Sequence, residues 1–260
     1  MTNSAVIIGS GNVAEAFARA LPACGIEVRQ IFARNAGRGE AVAALAGCGW
    51  TDDPAHLAAA DIYITAVSDS SIGSVLDPLA VPATAVVVHT AGAQPVEAIP
   101  AHFARRGVLY PLQTFTAGRK VDFGAIPFFI EASDQATLAA IREVASRLSC
   151  HVFDSTSESR AEVHLAGVFA CNFVNALYGI GQEMMARAGA PFEALVPLIV
   201  ETARKAADSG DPAAVQTGPA RRHDTTTMQR HMALLDGNGR LKNIYELMSQ
   251  EIWEKTSRRN

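Results

Sequence analysis

The chain predicts an α/β fold, a doubly wound and mostly parallel sheet followed by an all-α C-terminal domain. Three features carry that expectation. An apolar run, Ala5 to Ile8, opens directly into Gly9-Ser10-Gly11-Asn12-Val13-Ala14 and an amphipathic helix. As far as about residue 155, short strand-like runs alternate with helical stretches across short loops. From Glu158 onward the periodicity is helical only, so the expected division is residues 1–155 and 156–260.

Gly9-x-Gly11-x-x-Ala14 is the dinucleotide-binding fingerprint of a Rossmann-type domain, with alanine in its third position. Gly9 allows the tight turn, Gly11 removes a side chain that would collide with a pyrophosphate, and Ala14 lets helix and strand approach. Unpaired N–H groups around Gly9, Ser10, Gly11, Asn12 and Val13 then meet the phosphates at the positive end of the helix, Asn12 to about Leu21.

Glu27 to Phe32 alternates as a second strand and ends in Ala33-Arg34-Asn35-Ala36-Gly37-Arg38. A ribose-binding acid belongs about 20 residues beyond the glycines. Arg34, Asn35 and Arg38 stand there instead, which suits the 2′-phosphate of NADP(H) and leaves the 2′-hydroxyl of NAD without an acceptor. A charge-assisted bond of this kind contributes about 1.5–3 kcal/mol, a preference of roughly 10- to 100-fold. The other reading of the two arginines is a solvated loop and helix start.

Helix Glu40 to Ala46 leads to the short strand at Trp50-Thr51-Asp52, and Asp61 to Ala66 is the next strand. Val67-Ser68-Asp69-Ser70-Ser71 follows it, at the carboxyl edge where open α/β sheets bind ligands. Ser70 or Ser71 is also placed to cap a helix from Ser71 to Leu79. Ala85 to Val88 delivers His89-Thr90-Ala91-Gly92 to the same edge. His89 is either an orienting group for nicotinamide or substrate or an internally bonded strand-end histidine. Val108 to Tyr110 gives way to Pro111-Leu112-Gln113-Thr114-Phe115-Thr116, a substrate-side loop or an ordinary crossover. Pro127 to Glu131 (strand), Asp134 to Leu148 (helix) and His151 to Phe153 (strand) complete the first domain.

Ser155, Ser157 or Ser159 is placed to cap a long helix from Glu158 to Ala188, ended by Gly189. Being apolar nearly all round from Leu165 to Ile180, it is expected to be a buried core helix. Straight α geometry sets His164, Asn172 and Asn175 in one sector, with Val168 between them. Such groups serve either helix packing or a ligand cleft. In a cleft, His164 donates a proton as hydride arrives, and Asn172 or Asn175 positions substrate or nicotinamide. Helices are expected at Phe192 to Ala207, Asp224 to Leu235 and Leu241 to Lys255, with breaks at Gly210-Asp211-Pro212 and Gly237-Asn238-Gly239. Before the second of these, Arg221 and Arg222 are available to clamp a carboxylate or phosphate, unless Asp224 is simply an N-cap beside solvated arginines.

At 260 residues, 49% hydrophobic and 18% charged, the chain has the composition of a soluble globular protein, and a net charge of −4 argues against nucleic acid or an anionic membrane as partner. Cys24, Cys48, Cys150 and Cys171 lack metal-type spacing and read as reduced thiols. Leu165 to Ile180 is shorter than a bilayer requires. No signal segment precedes the first strand, so a cytoplasmic location is expected.

The order of motifs resembles a family. Gly9-Ser10-Gly11-Asn12-Val13-Ala14, His89-Thr90-x-Gly92, Tyr110-Pro111-Leu112-Gln113-Thr114-Phe115, His164-x-x-x-Val168-Phe169-x-x-Asn172-Phe173 and Gly218-Pro219-x-x-Arg222-x-Asp224 look like the uncharacterised Rossmann-like NADP oxidoreductases. That group is in turn similar to pyrroline-5-carboxylate reductase, ketopantoate reductase and the β-hydroxyacid dehydrogenases. The resemblance implies NADP(H) as cofactor, a small-molecule substrate, a homodimer through the helical domain and an active site between the domains. Where the β-hydroxyacid dehydrogenases carry a lysine four residues before an asparagine, Val168 precedes Asn172 here, so His164 takes the acid's place in this reading, with Arg222 and Tyr110 as weaker substitutes. The expected activity is NADPH-dependent reduction of a small carbonyl or imine, with Arg222 on the substrate's carboxylate. The alternative is a protein that binds NADP(H) without turnover, as a sensor or structural ligand.

Overall fold

A computed structural model describes residues 2–258. Eight strands form one sheet: β1 (Ser4–Ile8), β2 (Glu27–Phe32), β3 (Gly49–Thr51), β4 (Ile62–Thr65), β5 (Val86–His89), β6 (Arg106–Pro111), β7 (Phe128–Ala132) and β8 (Val152–Asp154). Their order is β3-β2-β1-β4-β5-β6-β7-β8, and every pairing is parallel except β6 with β7.

The central strands are continuous apolar runs because both faces are covered. Ala5 and Ile7 enter one core with Phe17, Val42 and Ile141, while Val6 and Ile8 enter the other with Tyr63, Ile72 and Leu76. The first core lies under α1 (Asn12–Ala23), α2 (Ala36–Ala46) and α4 (Gln135–Leu148); the second lies partly under the short α3 (Ile72–Leu76). Chain order runs outward from β1 to β3, then resumes at β4 on the other side of β1. That reversal leaves a crevice beyond the carboxyl ends of β1 and β4.

The long helix differs from expectation in three ways. Its cap is Thr156, in a reciprocal capping box with Ser159, and none of the three serines expected there is the N-cap residue. It is not α-helical throughout: α5 (Ser157–Gly167) passes through a π-helical segment, Val168–Phe173, into α6 (Val174–Arg187). The wider turn takes up additional residues, so Asn175 loses the angular position relative to His164 that straight geometry gives it. Nor is the helix a buried core element: Leu165, Phe169, Phe173 and Leu177 are 53%, 61%, 49% and 38% exposed, and Asn172 and Asn175 are exposed with them. Hydropathy reports that a surface needs cover but not which molecule supplies it. Ser157–Arg187 spans 31 residues, so by length and composition it meets the requirement for crossing a membrane that the run Leu165 to Ile180 falls short of. Gly189, in the left-handed region, follows the helix as expected.

Two compact units are distinguished, Met1–Ala176 and Leu177–Asn260. In the second, α6 is followed by α7 (Val196–Ser209), α8 (Thr225–Leu234) and α9 (Gly239–Ser257). Asp224 caps α8, accepting from the Thr227 amide, and Asn238 caps α9 through the Leu241 amide.

Candidate functional site

The crevice at the strand reversal is a cavity of about 780 Å³. Gly9 turns the chain out of β1 at φ +118, and a Cβ there would lie 2.2 Å from the Ala66 carbonyl oxygen, so only glycine fits. Gly11 is the N-cap of α1 with no side-chain cap, and a Cβ on it would meet nothing within 4 Å. The opening amides of α1 therefore face open space at the positive end of the helix.

Gly9, Ser10, Gly11, Asn12, Val13, Arg34, Asn35, Val67, Ser68 and Thr90 all line this cavity. Arg38 and His89 do not. The Arg38 guanidinium is engaged, Nε with the Ser10 carbonyl at 3.2 Å and Nη2 with Glu15 at 3.2 Å, so it braces the fingerprint loop from outside. Arg34 is exposed and makes no hydrogen bond or ion pair among the described residues. Asn35 caps α2, accepting from the Arg38 amide.

His89 is fully buried. Its Nδ1 accepts from the Ala91 amide at 3.2 Å, which leaves the proton on Nε2, 3.1 Å from the Pro95 carbonyl. Burial lowers its pKa to about 4; the bond to Pro95 opposes the shift and the Arg160 charge adds to it. The ring is a neutral strut for the β5 turn.

Gln113 and Phe115 also line the cavity, from the loop after β6. Asn12 Nδ2 donates to the Phe115 carbonyl at 3.0 Å, and the Gly118 amide donates to Glu15 at 2.9 Å. These pairings were not legible in the sequence, since nothing in residues 12–15 specifies a partner a hundred residues away. The Gly118 amide chiefly, with Arg19 and Arg38, holds the Glu15 carboxyl below its ordinary pKa, against burial. Ser68 Oγ and Ser71 Oγ are 2.7 Å apart; of the two serines expected to cap the next helix, Ser71 is the N-cap residue of α3 but makes no side-chain cap bond.

Two residues beyond Thr90, Gly92 packs against a polar pair. The Tyr110 hydroxyl lies 3.1 Å from His164 Nδ1, and a Cβ at Gly92 would sit 2.7 Å from that nitrogen and 2.7 Å from Tyr110 Cζ. Arg160, one turn before His164, is fully buried, ion-paired with Glu131 and bonded to the Gln94 carbonyl. No sequence signal marks that ion pair, for an arginine on a helix ordinarily reads as solvated. Asn172 and Asn175 are exposed. In the second unit, Arg222 is exposed on the turn before α8, where His223 takes φ 53 and its ring lies tilted against Trp253, centroids 4.4 Å apart. Among the described residues no group of three or more His, Cys, Asp or Glu could hold a metal ion.

A solved structure from Bacteroides fragilis, described as putative NADP oxidoreductase BF3122, is 38% identical to the chain. It superposes with a TM-score of 0.91 over 97% of this chain and 98% of that one. The chain belongs to this NADP oxidoreductase family. Its oxidoreductase character and its NADP(H) cofactor follow from that membership.

The family profile described as "NADP oxidoreductase coenzyme F420-dependent" matches residues 4–92 of this oxidoreductase, and a domain of unknown function (DUF2520) matches residues 126–252. A 1-pyrroline-5-carboxylate reductase of Streptococcus pyogenes shares the fold at 13% identity, TM-score 0.63, covering 96% and 98% of the two chains. So does a reductive aminase of Aspergillus terreus, solved with NADPH and ethyl-5-oxohexanoate, at 15% identity and TM-score 0.67 over 100% of each. No curated protein matches the oxidoreductase. The residues present fit a dinucleotide: Gly11 leaves free the volume a Cβ would fill, α1 is uncapped, and Arg34 carries an unpaired positive charge at the cavity.

Proposed function

We propose that this oxidoreductase reduces a small carbonyl or imine compound bearing a carboxylate, at the expense of NADPH. The observation that carries the reading is continuity within the first unit. Thr90 lines the cavity at α1, and Gly92, two residues on, touches the Tyr110–His164 pair.

In this reading the amides from Gly9 to Val13 hold the pyrophosphate, with Ser10 and Asn12 beside it. Arg34 and Asn35 take the 2′-phosphate, and Val67, Ser68 and Thr90 flank the rest of the dinucleotide. Arg38 and His89 act one step back, holding the fingerprint loop and the β5 turn in shape. NADPH, when bound, supplies the hydride. His164 is the proton source and Asn172 positions the substrate.

We assign the functional division to residues 1–155 and 156–260, since β8 ends at Asp154. Leu165, Phe169, Phe173 and Leu177 recur every four residues and stay exposed, which supports a homodimer formed through the helical part. Asn172 and Asn175 amid that stripe favour protein over lipid as its cover. Four free cysteines accord with a cytoplasmic location. The rival, an NADP(H) sensor without turnover, draws its support from Val168 at the position where related dehydrogenases have lysine.

NADPH oxidation followed at 340 nm, with α-keto acids and cyclic imino acids as probes, separates the two. Turnover of any member of the panel supports the reductase. Tight NADPH binding with no oxidation across the panel favours the sensor.

A further inference from the structure

We propose that the Tyr110 hydroxyl hands the proton to the substrate, with His164 as its immediate reservoir. This deepens the reductase reading and rests on it.

The geometry points to Tyr110 because its hydroxyl is surplus to packing. The ring lies in a small apolar cluster with Val96 and Val108, against Leu112, Phe129 and Val163, a place a phenylalanine would fill equally well. Yet three features hold a histidine against the hydroxyl. Arg160, wholly buried and paired with Glu131 on β7, fixes the first turn of α5 to the sheet. His164 stands four residues further along and so presents from the same side. Gly92 lacks the Cβ that would clash with both rings.

The charges suit a donor. Burial, then the Asp69 charge, raise the Tyr110 pKa above the usual phenol value; Arg160 opposes and Cys171 adds to it. The phenol therefore keeps its proton at neutral pH. His164 Nε2 has no hydrogen-bond partner among the described residues, and its side chain is only half-buried, so it can exchange protons with water.

The proton balance closes with groups already named. Hydride adds to the electrophilic carbon and the π electrons of C=O or C=N move to the heteroatom, which takes the phenolic proton. The phenolate then recovers a proton from water by way of the His164 ring, which the 3.1 Å contact holds beside it. The hydride would be supplied by bound NADPH, with NADP⁺ as the oxidised product.

The test compares wild type, Tyr110→Phe and His164→Gln with NADPH and 1-pyrroline-2-carboxylate among the probe panel, and reads ¹⁵N shifts of His164 without substrate. The expected result is a loss of at least 100-fold in kcat for Tyr110→Phe, with NADPH affinity within twofold of wild type. The neutral wild-type ring is expected as the Nε2–H tautomer, a bias lost in Tyr110→Phe. Wild-type turnover that persists in Tyr110→Phe overturns this assignment alone, as does a His164 spectrum unchanged by the substitution. Absence of turnover in wild type across the panel overturns the reductase reading beneath it.

Discussion

The carboxylate of Glu15, in the first turn of α1, accepts a hydrogen bond from the Gly118 amide at 2.9 Å, while its neighbour Asn12 donates to the Phe115 carbonyl. The helix that opens the nucleotide cavity thus pins the loop whose Gln113 and Phe115 form another of its walls. Replacing Glu15 with alanine leaves that amide and Nη2 of Arg38 without their acceptor, while Arg38 Nε keeps the Ser10 carbonyl. The expected outcome is faster amide hydrogen exchange at Gly118 and NADPH binding weakened by about 1–2 kcal/mol, the scale of charge-assisted bonds. Hydrogen-exchange mass spectrometry of the 113–121 segment, with calorimetry for affinity, checks both.

Stability should fall as pH drops from about 6.5 towards 4. His89 is held neutral in the fold, with its pKa lowered to about 4 mainly by burial, whereas the unfolded chain takes up a proton near the ordinary value. Between the two values the unfolded state binds more protons, so unfolding free energy rises with pH across that window. Glu15, whose folded pKa is also depressed, contributes stability present above its unfolded value and lost at lower pH. Urea unfolding at several pH values should show a shallower acid slope for His89→Asn than for wild type; an identical slope would remove His89 from the explanation.

Gly92→Ala places a methyl between two rings that have no room for it. Overpacking of this kind costs about 1–3 kcal/mol and parts the Tyr110–His164 contact. Thermal unfolding should shift down by several degrees, and turnover should drop along with it, while NADPH affinity stays close to wild type because Gly92 does not line the nucleotide cavity.

Glu131→Ala strands the wholly buried guanidinium of Arg160, and an uncompensated charge there costs about 3–5 kcal/mol. Arg160→Met combined with Glu131→Leu removes both charges and should recover much of that loss in urea melts. The double variant should nevertheless stay catalytically impaired, because the anchor that sets His164 against Tyr110 is gone.

The eight strands were legible because each is a short apolar or alternating run ended by turn chemistry, and the cavity at the start of α1 followed from the glycines that close it. Ten of the residues nominated as cofactor ligands line one cavity for the same reason: the strand-to-helix turns are local. What stayed hidden is non-local or has no residue signature. Arg160 finds Glu131 across 29 positions, Glu15 finds Gly118 across 103, and a π segment at Val168–Phe173 uses the same residue types as an α-helix. The long helix reads as core in the sequence yet is exposed, because apolar composition is the same whether cover comes from the same chain or from another molecule.

The proposed preference for NADP(H) depends most on Arg34 meeting an extra phosphate at the end of β2, beside the amides assigned to the pyrophosphate. Calorimetric titration of wild type and Arg34→Ala with NADPH and with NADH addresses that directly. Wild type is expected to favour NADPH by roughly 10- to 100-fold, as a charge-assisted contact of about 1.5–3 kcal/mol provides, and Arg34→Ala should lose most of that margin while binding NADH unchanged. Equal affinity of wild type for the two nucleotides would contradict it.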